Sequence, residues 1–231
     1  MYKAVLFDMF GTLIPSPPMD SYNAMVGELA LIIGEPVETF KEPWMSINDG
    51  RLDGSFGSSE GDIQTVAELV GVEVPESQME QCKELRRSST RKFLTPKDGT
   101  IEMLYELLGM SFALGLVTDC VFDVPTIWPE TPFASYFSAM HFSCVTHVRK
   151  PDSRAYLGVL ESLGISPSDA LFVGDGGSDE LNGATRTGIY ALMIDDIDGS
   201  GVDMLRVGFV EWNDPTVKTM ADIARYVRES A

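Results

Sequence analysis

The chain has 231 residues, 44% of them hydrophobic, which suffices for one full core domain with a smaller insertion and excludes a disordered chain. Its 35 acidic side chains against 17 basic ones give a formal net charge of −18. That balance argues against a general nucleic-acid or anionic-membrane surface, since both are bound through basic patches. The cysteines Cys82, Cys120 and Cys144 are odd in number and lack metal-ligand spacing, so they read as reduced thiols rather than a disulfide scaffold or a zinc site. There is no basic-then-apolar leader pattern and no apolar run of membrane-spanning length, and the expected location is cytoplasmic.

In chain order, Ala4, Val5, Leu6 and Phe7 predict a strand buried on both faces, delivering Asp8 to a turn marked by Gly11. A carboxylate at the carboxyl end of such a strand sits where open α/β sheets place their ligands. Pro15, Pro17 and Pro18 then stop regular structure. From Asp20, taken as an N-cap, a helical pattern runs to Gly34, and further helices are predicted over 38–49, 60–71 and 76–93. The segment Arg51-Leu52-Asp53-Gly54-Ser55-Phe56 reads as a loop in which Arg51 could meet an anionic substrate tail. Arg86, Arg87, Arg91 and Lys92 form the basic cluster of the chain, expected on a solvated helix face.

A helix through Ile101 and Leu108 leads into a strand over Phe112 to Thr118, followed by short helical pieces over 121–137 and a strand over Ala139 to Ser143. The loop with His147, Arg149, Lys150 and Pro151 precedes a helix from Asp152 to Leu163. Then comes the strand Ala170 to Val173, and Gly174-Asp175-Gly176-Gly177-Ser178-Asp179-Glu180, in which Ser178 is expected to cap a helix running to Gly188. A strand over Ile189 to Ile194, an acidic turn of Asp195, Asp196 and Asp198, and a helix around Thr216 to Arg228 complete the pattern. Strands alternating with helices, interrupted once by an all-helical block, predict an α/β fold.

Four stretches, in order, carry a resemblance: Phe-Asp-Met-Phe-Gly-Thr-Leu at 7–13, Thr118 at its strand end, Lys150-Pro151-Asp152, and the glycine-rich run with Asp175. Together they resemble the motifs of the haloacid dehalogenase superfamily, mostly phosphatases and phosphoryl-transfer enzymes. The resemblance implies a Rossmann-like core with a central parallel sheet flanked by helices (1–14 and 96–231) and an inserted α-helical cap domain (15–95). It implies Asp8 as nucleophile, the Thr118 hydroxyl on the phosphoryl group, and Lys150 steadying negative charge. Mg2+ would be held by Asp8, Asp175 and the Phe10 carbonyl, with Asp179 holding a metal-bound water or orienting the lysine. Asp119 would contribute its backbone N–H, and neither His141 nor His147 has a role.

The departure is Phe10, where phosphatases of the family usually carry an Asp as general acid and base. The implied activity is a Mg2+-dependent phosphatase acting on a small phosphorylated metabolite through an aspartyl-phosphate. A 2-haloacid dehalogenase is the alternative, and a catalytically weak binding or regulatory protein a second one.

Overall fold

Successive side chains of a strand point to opposite faces, and here both faces are apolar. In the computed structural model, which describes residues 2–195 and 212–230, six strands form one parallel sheet in the order β3-β2-β1-β4-β5-β6. They are β1 (Ala4–Phe7), β2 (Ala113–Thr118), β3 (Ala139–Phe142), β4 (Ala170–Gly174), β5 (Tyr190–Ile194) and β6 (Thr216–Val217). Val5, Phe7, Leu116 and Val173 pack into one core layer, while Ala4, Leu6, Val117 and Phe172 pack into the other. The chain lays β2 and β3 on one side of β1 and β4 to β6 on the other, so the sheet reverses direction at β1. Ligands of open α/β sheets bind at that switch point, outside the carboxyl ends of the strands.

The segment between β1 and β2 is helical, with α1 (Met19–Ile33), α2 (Val37–Ser46), α3 (Asn48–Leu52), α4 (Ser59–Val70), α5 (Glu76–Phe93) and α6 (Thr100–Gly109). Four of them, α1, α2, α4 and α5, pack around a core of their own that includes Leu29, Phe40, Trp44, Ile63, Val66 and Cys82. After β2 come α7 (Asp123–Ile127), α8 (Ser143–Thr146), α9 (Ser153–Leu163), α10 (Glu180–Arg186) and α11 (Met220–Glu229). Helices α9 and α10 cover one face of the sheet; α6 and α11 cover the other. No helix among the described residues is long and apolar enough to cross a membrane. All three cysteines are free and buried.

Several sequence expectations need correction. Helix α1 begins at Met19 behind Pro18, one residue before the expected cap Asp20. The helix expected over 38–49 breaks at Ile47, and the loop expected from Arg51 is in part the short helix α3. Thr216 and Val217 pair with Met193 and Ile194 as an edge strand, and α11 starts only after a capping box between Thr219 and Asp222. Asp195 accepts an ion pair from Lys218 at 3.5 Å, whereas Asp196 and Asp198 lie outside the described residues.

The largest revision concerns the basic cluster. Lys92 is exposed, but Arg86 is 3% exposed and lies between Asp62 of α4 at 2.7 Å and Asp123 of α7 at 2.5 Å. A third bond runs to the Ser59 carbonyl at 3.0 Å. A helical pattern does not reveal that two buried carboxylates wait on other helices. One of them belongs to the segment after β2, so this cation ties the helical insertion to the sheet domain. Removing it leaves two buried charges without their partner: Arg86→Ala should cost about 3–5 kcal/mol in urea unfolding, against about 0.5 kcal/mol or less for Lys92→Ala.

Candidate active site

The site is assembled from the carboxyl ends of β1, β2 and β4 and the loop after β3. Asp8 follows β1 directly, its N–H donating to the Val173 carbonyl at 2.9 Å, so the pairing of β1 with β4 continues into Asp8. Gly11 turns the chain at φ 79°, and a Cβ there would run into the Asp175 carboxylate. Glycine at this position therefore lets the β1 turn close against the β4 loop.

Lys150 lies at the centre. Its ammonium donates to Asp8 Oδ1 and to Glu180 Oε2, the latter at 2.5 Å, and all three residues are buried. Burial works against a charged lysine, but Asp8, Glu180 and Asp119 outweigh it, and Lys150 is held well above the ordinary lysine range. Burial raises the Asp8 carboxyl above its usual value, with Lys150 opposing. Glu180 is raised further, by burial and then by the neighbouring Asp8 charge.

Asp8, Asp175 and Glu180 bring one carboxylate oxygen each within 4.8 Å of one another, and the Lys150 ammonium is paired with Asp8 and Glu180. Such an all-oxygen donor set suits a hard cation. Both Glu180 oxygens are already engaged, one by Lys150 and one by the Gly176 N–H at 3.0 Å. Asp175 accepts from the Gly177 N–H at 3.0 Å.

The expected site residues are not all in the expected places. Asp8, Phe10, Asp119, Lys150 and Asp175 line one chamber of about 120 Å³. Thr118 is fully buried at the end of β2, and its hydroxyl has no hydrogen-bond partner among the described residues. Asp119 uses its side chain, not only its backbone: Oδ1 accepts the Lys150 N–H at 3.1 Å and Oδ2 lies 3.5 Å from Arg149 Nε.

Asp179 points elsewhere, accepting from Asn182 at 2.7 Å and Arg186 at 3.0 Å, while Glu180 makes the contact to Lys150 expected of Asp179. Ser178 and Asp179 both have positive φ, near 55° and 53°, so α10 starts one residue later than a Ser178 cap would place it. The sequence carried a signal for this. Glu180 shares the inward helix face with Gly183 and Ala184, whereas Asp179 falls in line with Asn182 and Arg186 on the outward one.

Arg51 is not in the chamber. It is buried in α3, its guanidinium 4.1 Å from the Trp44 ring centroid and bonded to Tyr22 at 3.1 Å and Asn48 at 3.0 Å. His141 bonds the Val148 carbonyl at 2.9 Å, supporting the loop that carries Lys150.

A buried carboxylate at the end of the central strand, a lysine upon it, a second carboxylate across the switch point and a helical insertion above define a capped α/β hydrolase with an aspartate at its centre. The haloacid dehalogenase-like hydrolase family matches residues 2–184, and the chain belongs to it. Among curated relatives, flavin mononucleotide hydrolase 1 of Arabidopsis thaliana is 24% identical over 206 residues, covering 88% of this chain and 77% of that protein. Glyceraldehyde 3-phosphate phosphatase of Methanopyrus kandleri is 26% identical over 200 residues, covering 84% of each. The solved 2-haloacid dehalogenase of Pseudomonas syringae superposes with a TM-score of 0.76 at 21% identity over the whole of both chains, a likeness of fold.

The different surroundings of the two neighbouring acids can be measured directly. In calorimetric titration with Mg2+ or Mn2+, Asp175→Asn should weaken binding by more than about tenfold, and Asp179→Asn by no more than about twofold.

Proposed function

We propose that the chain is a Mg2+-dependent phosphatase that works through an aspartyl-phosphate on Asp8. The observation that carries this reading is the Asp8–Lys150–Glu180 cluster facing Asp175 at the sheet's switch point. Phosphoryl transfer asks chiefly for an in-line nucleophile and for neutralised charge, and these residues supply both. A bound Mg2+, held by Asp8, Asp175 and the Phe10 carbonyl, would neutralise charge on the phosphoryl oxygens.

The remaining work falls to the chain. An Asp8 carboxylate oxygen attacks phosphorus, the bond to the leaving oxygen breaks, and that oxygen departs with its electron pair. Lys150 holds the other Asp8 oxygen and offsets charge at the reacting end, while Glu180 and the Lys150 backbone bond to Asp119 fix the lysine. The Thr118 hydroxyl, without a hydrogen-bond partner among the described residues, would turn to a phosphoryl oxygen once substrate is bound. Water then cleaves the acyl phosphate and restores the Asp8 carboxylate. The relatives named for flavin mononucleotide and glyceraldehyde 3-phosphate support a small phosphorylated metabolite as the substrate class.

Phe10 sets the character of the reaction. Where the family's phosphatases usually carry a carboxyl group, this chain has a ring, and the leaving group receives no proton from that position. Phosphates whose leaving group is stable as an anion are therefore favoured. Dehalogenation of a 2-haloacid is the second reading, since a halide also leaves without a proton and the fold matches a dehalogenase. Asp175, beside Asp8 in an oxygen donor set that suits a hard cation, weighs against it.

Hydrolysis of p-nitrophenyl phosphate and of 2-chloropropionate, each with Mg2+ and with EDTA, separates the two. Phosphate release that needs Mg2+ and is lost in Asp8→Asn is the expected result; halide release indifferent to EDTA would replace the phosphatase with a dehalogenase. Phe10→Asp should raise turnover of glycerol 3-phosphate relative to p-nitrophenyl phosphate, by a factor on the order of 10²–10⁴ if the carboxyl engages as a general acid.

A further inference from the structure

The catalytic chamber opens into a much larger space. A second cavity of about 710 Å³ lies between the helical insertion and the strand ends, sharing Phe10, Asn48, Asp49, Leu52 and Asp119 with the chamber. Pockets that enclose whole organic ligands run to about 300–1,000 Å³. A three-carbon acid or triose would fill a small part of this one.

Its walls are apolar and soft. Met19, Met25 and Met45 face the space together with Trp44, Phe93 and Val124. Methionine thioethers adapt to flat rings and make favourable contacts at their edges.

Two arginines also reach this wall. Arg86 is paired with both Asp62 and Asp123, whereas Arg51 stacks on Trp44 and bonds Tyr22 and Asn48, with no ion pair to a carboxylate among the described residues. At the neck between the spaces, Asp49 and Asp119 flank Arg149, at 2.8 Å and 3.5 Å.

We propose that this cavity receives the leaving group of the substrate, and that this group is a bulky, fused-ring body joined to the phosphate through an aryl or similarly acidic oxygen. The proposal rests on the phosphatase reading and narrows it. The two spaces join at Phe10, so a phosphate held at Asp8 points its ester oxygen past that ring and into the cavity.

The test compares phenyl phosphate with 2-naphthyl phosphate, whose leaving groups have closely similar acidity and differ by one ring. The expected kcat/KM is about tenfold higher for the naphthyl ester, on the scale of added apolar contact in a pocket. Met45→Trp and Met19→Trp, at two cavity positions that are not fully buried, should each cut the naphthyl-to-phenyl ratio severalfold. Binding is read separately, by titrating 2-naphthol into wild type and Asp8→Asn, with similar affinity expected for both.

Equal kcat/KM for phenyl and naphthyl esters, or absence of 2-naphthol binding, would overturn the proposal. If 2-naphthol binds but no ester is hydrolysed, the failure belongs to the phosphatase reading. If phosphate is released from phenyl phosphate with Mg2+ while 2-naphthol does not bind, it belongs to the cavity.

Discussion

An ammonium group taken out of water has to be met by carboxylates, and Lys150 is met by two. Each partner comes from a different part of the chain: Asp8 from the end of β1, Glu180 from the first turn of α10. The lysine itself rides on the loop after β3, held by the Asp119 carboxylate at the end of β2. One buried cation therefore needs the order and register of the central strands to be right. The sheet's twofold layering of apolar side chains supplies that order, and the polar cluster sits at its exposed rim. The same arrangement brings Asp175 beside these two carboxylates, an oxygen donor set of the kind that suits a hard cation.

A second buried cation plays the corresponding part above the site. Arg86 is flanked by Asp62 from the helical insertion and Asp123 from the segment after β2. It fixes one wall of the large cavity and consumes the charge that the wall would otherwise show to a ligand. The two cations differ in their use. Lys150 lines the chamber at the strand ends, whereas Arg86 is neutralised by its neighbours and contributes shape.

What the sequence made legible follows from which physical signals are local. The run Ala4 to Phe7 is short, wholly apolar and followed by a charge, so β1 and Asp8 could be placed before any contact was known. Lys150 and Asp175 could be placed the same way, by position after their strands. The distinction between Asp179 and Glu180 failed because the two differ by one residue of helix phase, and the left-handed turn at Ser178 and Asp179 shifts that phase. Arg51 and Arg86 failed for a different reason. Arg51 is expected in a loop and Arg86 on a solvated helix face, and their burial depends on Trp44, Asp62 and Asp123, which are brought near only by tertiary packing. Thr216 and Val217 form too short a strand to show a pattern, and only the edge of β5 gives them partners.

Phe10 joins the two halves of this picture. It borders both the small polar chamber and the large apolar cavity, on the turn directly after Asp8. On the proposed reading, replacing a carboxyl by a ring at that point has two effects at once. It removes the proton that a poor leaving group would need, and it extends the apolar wall to the edge of the reacting centre. An aryl leaving group answers both, since its oxygen carries negative charge well and its ring is taken up by the wall. The chemical deficit and the shape of the cavity then select the same kind of molecule, which is why a departure at Phe10 is compatible with an otherwise complete set of charged residues at Asp8, Lys150, Asp175 and Glu180.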